Sequence, residues 1–590
     1  MKHTLSYHKN HPNPQMYRSS FTLLNGCWDF AFDYFDKGMI EKRYNSFPKE
    51  KTILVPYPYQ VKASGINIDK NEHCDIIWYH KTISVKNLSS HLLLHFLGVD
   101  YECELFINGK YVANHKGAYD TFSIDIAPFI FKGENNITLR VIDKQNVDQI
   151  RGKQTWKKYP FECFYTETSG IWKDVYLENL NESYIDIFKF NTSFKKNLVK
   201  LDISLNNSAN LINTKLNVKI LFDNKEIINE DFKLNSLSSS LNFKLKSEDI
   251  HLWSTSSPNL YDVILTLYVD EKVLDEVTTY FGINEINVKN RHVYLNDVDT
   301  YFKLILDQGY YPNTFYTGSE EEFVKDLSLI KECGFNGLRK HQKIESPLFY
   351  YYCDTLGLLL WQEMPSPHAY SYEMINNAKR EIINQIDDHY NSPSIIAYVI
   401  FNESWGINEV YKDKEEASEV TSLYYLVKNH LKNNRLVISN DGWEHTTSDV
   451  ISFHNYEETY DKIYNLYKKD IELLKSKDYQ NIKANETKYM FAKEFEINDE
   501  TPLMLTEFGG IAYAKDKDKG RGYGNSVQNE DEYLKKLSSL MNAIYDLKEI
   551  RGYCLTQLTD VESEVNGLFD FNRNPKVDLK EIKKINDKFN

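Results

Sequence analysis

Seven short apolar runs in the second half of the chain each end in polar residues, and that pattern leaves few folds open. They are FNGLRKHQ, LGLLLWQEMPS, IIAYVIFNES, RLVISNDGW, DVISFHNY, PLMLTEFGG and GYCLTQLTD, between Phe335 and Asp560. Ile395–Phe401 has no polar alternation, as expected of a strand buried on both faces of a parallel sheet. Helical segments fall between the runs. SEEEFVKDLSLIKECG is capped by Ser319 with Glu322 closing a capping box, carries Phe323, Leu327 and Ile330 on one face, and stops at Gly334. SPLFYYYCDTLG has Pro347 at its first helical position and Gly357 at its end. A third helix starts at Asn529 and carries the stripe Tyr533, Leu537, Leu540 and Ile544. Repeated strand–helix units predict a parallel sheet. Residues 286–590 suit one (β/α)8 barrel, which takes roughly 250 residues or more.

A chain of 590 residues exceeds one hydrophobic core, and its first part reads as β. ELFINGKYVANH is two short runs around Asn108-Gly109, a strong hairpin signal. NITLRVID alternates Ile137, Leu139 and Val141 with Thr138 and Arg140, and strands continue to about Asn181. A second β region sets Leu216, Val218, Ile220 and Phe222 on one face of KLNVKILF, and Val263, Leu265 and Leu267 on one face of DVILTLYV. These readings divide the chain into a β domain over 1–182, an immunoglobulin-like sandwich over 183–285 and the barrel over 286–590.

The net charge of −15 argues against a nucleic-acid surface. Seven scattered cysteines with no CxxC pair suggest neither a disulfide framework nor a zinc site, and fit a reducing cytoplasm. MKHTLSYHKNHPNPQ lacks the apolar core of a signal peptide, and no run of 18 apolar residues predicts a membrane span. A homo-oligomer is left open.

Two strand ends stand out. Glu403 follows Asn402 at the end of one run, and Glu507 stands in LMLTEFGG at the end of another. Barrel closure brings such strand ends to one mouth. Paired carboxylates there are what cleavage of a glycosidic bond needs: one protonates the leaving oxygen, the other attacks carbon or steers water.

With those residues in view the whole chain resembles glycoside hydrolase family 2, the β-galactosidases, β-glucuronidases and β-mannosidases. LNGCWDFAFD, IIWYHKTISV, FLGVDYECELFINGKYVANHKGAYDTF and YTETSGIWKDVYLE are similar to successive signatures of its jelly-roll domain. LWSTSSPNLYDVILTL resembles its central sandwich, and FNESWG and TEFGG its acid/base and nucleophile motifs. The resemblance implies a jelly roll, an immunoglobulin-like sandwich and a TIM barrel. It also implies a retaining exo-β-glycosidase that needs no cofactor, with Glu403 as acid/base, Glu507 as nucleophile and Asn402 on the sugar 2-hydroxyl.

By the same resemblance Arg339 orients the nucleophile through a bidentate fork, and His341 faces substrate. His454 and Tyr456 end another strand, as substrate contacts or as packing in the barrel mouth. Trp443 and Trp361 read as stacking platforms or as wall, and Asp307 as a hydroxyl binder. Glu363 resembles the first magnesium ligand of the large β-galactosidases, but Pro365 replaces the expected histidine, so no metal is predicted.

Family β-glucuronidases carry an Asn-x-Lys pair for the uronate carboxylate, where this chain has Glu564 and Asn566. The expected substrate is therefore a neutral β-glycoside, β-galactoside first. β-Glucuronide, β-galacturonide and β-mannoside are the alternatives, with Lys340, Lys343 and Arg573 as cations that could restore a grip on a uronate. A catalytically retired carbohydrate-binding protein is the reading from another class.

Overall fold

The computed structural model describes residues 11–69, 72–514 and 520–589. Its first third is a sandwich of a six-stranded and a four-stranded antiparallel sheet, closed over a core that includes Trp28, Tyr79, Phe96 and Leu139. The Asn108-Gly109 hairpin forms as expected. Both residues take positive φ, 51° and 78°, between strands Glu102–Ile107 and Lys110–Lys116. Next comes a sandwich of three strands on four, where Leu216, Val218, Ile220, Val263, Leu265 and Leu267 are fully buried. Phe222 continues that face but stays partly exposed at the end of its strand, past a bulge.

The rest is a (β/α)8 barrel. Its strands are β1 Phe302–Asp307, β2 Gly337–Lys340, β3 Leu359–Glu363, β4 Ile395–Asn402, β5 Leu436–Asp441, β6 Ile451–Asn455, β7 Leu503–Gly509 and β8 Ile550–Thr556. Parallel ladders run from β5 back through β1 to β8, β7 and β6. Between β5 and β6 no ladder forms among the described residues. Isolated bonds, such as Gly442 N–H to Ser452 Oγ at 3.2 Å and His454 N–H to Gly442 O at 3.3 Å, draw that seam together. Every run singled out in the sequence is one of these strands. The helix after β1 spans Glu320–Glu332, with the Ser319/Glu322 capping box present and Phe323, Leu327 and Ile330 buried.

One segment of the N-terminal sandwich, from about residue 147 to 166, crosses the carboxyl end of the barrel. Thr166 bonds Glu562 through its backbone N–H (2.8 Å) and its hydroxyl (2.6 Å), beyond β8. Gly152 donates its N–H to Ser366 O at 3.0 Å, beyond β3. Gly152 has φ +61°, and a Cβ there would stand 2.4 Å from the Gln342 carbonyl. Gly65 has a similar φ, +80°, with nothing within 4 Å.

Both glycines share the left-handed strain, but only Gly152 adds a clash. Gly152→Ala is therefore expected to cost about 1–3 kcal/mol more than Gly65→Ala, read as a larger fall in thermal unfolding temperature. Equal losses would mean that the segment does not seat against the barrel here.

Candidate active site

The site is built from inward-pointing residues at the ends of β2 to β7. Strand geometry alternates faces, so residues two apart share one. Arg339 on β2 points into the barrel, fully buried, and its donors spread over neighbouring strands. Nε donates to Glu363 Oε2 (2.9 Å) and pairs with Asp441 Oδ2 (3.1 Å). Nη1 donates to Glu507 Oε1 (2.9 Å) and the Thr506 carbonyl (3.2 Å), and Nη2 to Asn402 Oδ1 (2.6 Å). The fork expected on Glu507 is thus a single N–H, because the other donors serve β3, β4 and β5.

Glu507 takes a second bond from the Tyr456 hydroxyl at 2.5 Å. Burial disfavours its charge, but His454, Arg339 and the Tyr456 hydroxyl hold the carboxyl down at about 2. Across from it, Glu403 sits just past β4 in the left-handed region (φ +51°), as does Ser404 (φ +59°). Glu403 N–H on Asp441 O (2.8 Å) and Ser404 N–H on Asn440 Oδ1 (3.0 Å) hold this strained turn. It aims the Glu403 side chain over the mouth, where His454 Nδ1 bonds Oε1 at 2.8 Å. One oxygen from each glutamate and a His454 nitrogen all lie within 4.8 Å of one another. Glu403 is the more open of the pair, its side chain 19% exposed against 6% for Glu507.

Charge balance follows from the surroundings. Burial opposes a charged His454, but Glu507, Asp441 and Glu403 push the ring up to about 10. Its Nδ1 faces Glu403 at 2.8 Å, and its Nε2 lies 3.3 Å from Arg339 Nη1. Asp441 is buried yet held far below the ordinary carboxylate range by Arg339 and His454. Burial instead pushes Glu363 up to about 8, against the pull of Arg339. Burial, helped by Arg339 and Lys153, holds His341 well below its ordinary range, so its 2.9 Å bond with Glu363 is that of a neutral ring.

Of the residues read from sequence, the structure gathers Asn402, Glu403, Glu507, Arg339, His341, His454 and Tyr456 here, with partly buried Trp443 edge-on to His454 at 5.8 Å. Glu564 and Asn566 lie beyond β8, both buried. Glu564 accepts from the Tyr165 hydroxyl, and Asn566 Oδ1 from Gln557 at 2.7 Å.

Asp307 and Trp361 need correction. Asp307 stands in register with Lys340, one residue past the inward position. It faces the helix layer and pairs with Lys340 at 2.8 Å, so it does not meet a sugar. Trp361 is fully buried against Phe302 inside the barrel, beneath the site, and is no platform. The three suspected cations are internal braces. Lys340 pairs with Asp307 and Glu345, Lys343 with Glu345, and Arg573 with Asp326.

Sequence reasoning missed Asp441, although RLVISND was among the runs that end in polar residues. It also missed Tyr523, stacked on Tyr456 at 3.8 Å, and Lys153 and Tyr165 from the N-terminal sandwich. No sequence pattern announces those last two, because only domain docking brings them here.

Comparison with known proteins agrees with this architecture. Residues 21–181, 183–283 and 286–590 match the sugar binding domain, the central domain and the TIM barrel domain of glycosyl hydrolases family 2. The chain belongs to glycosyl hydrolase family 2. Among relatives, a putative β-glucuronidase of Formosa agariphila is 28% identical over 58% of this chain and 42% of its own length. A β-galactosidase of Staphylococcus xylosus is 26% identical over 58% of this chain and 34% of its own length. The chain thus spans less than half of either relative. The fold of this family 2 chain is also that of a Lactobacillus rhamnosus β-glucuronidase, with TM-score 0.78 and 19% identity over 97% of this chain and 98% of that one. No helix among the described residues is long and apolar enough to cross a membrane.

The depressed carboxyl of Glu507 favours the folded, ionised site above its ordinary 4.5, and that contribution is lost as pH falls toward about 2. Removing the His454 charge should raise that carboxyl. His454→Gln is expected to move the acid limb of kcat/KM to higher pH on an activated aryl β-glycoside. An unmoved limb would mean that His454 does not hold Glu507 ionised.

Proposed function

We propose that the chain is a retaining exo-β-glycosidase working by double displacement, with Glu507 as nucleophile and Glu403 as general acid and base. The observation that carries this reading is the pair of carboxylates with oxygens within 4.8 Å of each other. Retaining enzymes need about 5–5.5 Å between their carboxyls, and inverting ones about 6.5–9.5 Å to admit a water. The environments divide the roles. Glu507 is held as an anion by Arg339, Tyr456 and His454, ready to attack the anomeric carbon. Glu403 is the more open side chain, suited to passing a proton to the leaving oxygen and later taking one from water. Asn402, turned by Arg339 so that its oxygen is occupied, has its NH2 left to offer a sugar hydroxyl. A protein that only binds carbohydrate would have no use for this division between two glutamates.

The sugar itself has two readings. Glu564 and Asn566 beyond β8 favour a neutral hexoside, β-galactoside first. Lys153, considered below, favours an acidic one. The site supports a terminal β-glycoside, and relatives named for galactosides and for glucuronides stand side by side.

Two measurements test the mechanism. Proton NMR of the first-formed sugar should show the β anomer, and an initial α anomer would mean inversion. Glu403→Ala should slow substrates with poor leaving groups about a hundredfold or more, and nitrophenyl glycosides far less, since good leaving groups need little protonation. Equal losses on both would remove Glu403 from the acid role.

A further inference from the structure

The segment that crosses the barrel mouth carries one cation into the site. Lys153 is 4% exposed. Its ammonium stands 5.3 Å from the Trp405 ring, two residues beyond Glu403, and 5.6 and 5.9 Å from the rings of Tyr165 and Phe164. Tyr165 in turn holds Glu564. The backbone around Lys153 is pinned: its carbonyl accepts from Tyr165 N–H at 2.8 Å, and Gly152 before it is bonded to the loop beyond β3. The backbone that carries this buried side chain is therefore fixed against the barrel.

Lys153 also differs from the other buried lysines near the mouth. Lys340, Lys343 and Lys576 each have a carboxylate within 2.8 Å. Among the described residues no carboxylate lies within 4 Å of Lys153. Burial disfavours its charge, and the neighbouring Glu564, Glu507 and Glu403 oppose that and raise its pKa. Cys163 supplies no counter-ion, because burial pushes its thiol up. A desolvated ammonium without a counter-ion is costly unless a ligand brings one. Trp405, two residues from Glu403, and Tyr165, bonded to Glu564, thus flank the ammonium at the barrel mouth.

We propose that Lys153, contributed by the N-terminal sandwich, reads a carboxylate on the sugar bound between Glu403 and Glu507, so that the preferred glycone is a β-uronide. The inference rests on the glycosidase reading above and adds a specificity-determining residue to it. In the loop beyond β8, Glu564 is taken by Tyr165 and the Asn566 oxygen by Gln557, so Lys153 supplies the charged contact there.

The test compares kcat/KM for nitrophenyl β-glucuronide and β-galacturonide with that for the matching glucoside and galactoside, in wild type, Lys153→Met and Lys153→Arg. The uronide is expected to win in wild type by about tenfold or more. Lys153→Met should lower the uronide-to-neutral ratio about ten- to a hundredfold, the worth of one charge-assisted contact, with partial recovery in Lys153→Arg. A second arm uses a neutral glycoside with a carboxyphenyl leaving group. Lys153 dependence in that arm instead would assign the lysine to the aglycone and overturn the proposal, as would a ratio unmoved by Lys153→Met.

Should the variants fail to fold, inhibition of wild type by glucaro-1,5-lactone against glucono-1,5-lactone decides the same point. Tighter binding of the acid lactone supports the proposal, and equal binding overturns it. Turnover of no glycoside by wild type, or turnover surviving Glu507→Gln, would sink the glycosidase reading instead. Calorimetric titration with the two lactones would still report on Lys153.

Discussion

The site depends on one guanidinium. Arg339 is buried without access to water, and burying a bare cation there would cost several kcal/mol. Its donors offset that cost by reaching Glu363 on β3, Asn402 on β4 and Glu507 on β7, with Asp441 on β5 alongside. The same contacts fix Asn402 and Glu507 at the barrel mouth. A guanidinium does this where an ammonium could not, because its N–H groups point in several fixed directions in one plane.

Around that cation the protonation states sort themselves by depth and neighbours. Asp441 and Glu507 share the fields of Arg339 and His454 and stay ionised. Glu363 touches Arg339 as well, but burial outweighs the attraction and raises its carboxyl. His454 bridges the two glutamates of the mouth, 2.8 Å from Glu403 and 3.6 Å from Glu507. Its charge thus links Glu507 to Glu403. The barrel supplies this rigid floor, and the N-terminal sandwich supplies part of the wall through Lys153, Phe164 and Tyr165.

Much of this was legible in one dimension. Apolar runs without alternation mark strands covered on both sides, and polar residues at their ends mark the mouth, so Asn402, Glu403, His454, Tyr456 and Glu507 could all be found. The misreadings have a common cause. Asp307 also ends a strand, but a shift of one residue turns it outward to Lys340. Trp361 shares the inward face with Glu363 but sits one layer lower, where the barrel needs filling. Period-2 geometry is readable within a strand, whereas the stagger between strands that sets depth is not.

The sequence alone therefore determined the barrel, the two β sandwiches before it and the glutamate pair, because periodicity, capping and strand-end chemistry are local properties. Tertiary structure decided which charges are free to act. Lys340, Lys343 and Arg573 looked available and proved to be braces, since each finds a buried carboxylate far away in the chain or across a turn. Lys153 carried no signal, yet docking of one domain on another leaves it desolvated beside three glutamates. Electrostatics in a folded chain follows distance and burial in space, and neither is written in the order of residues.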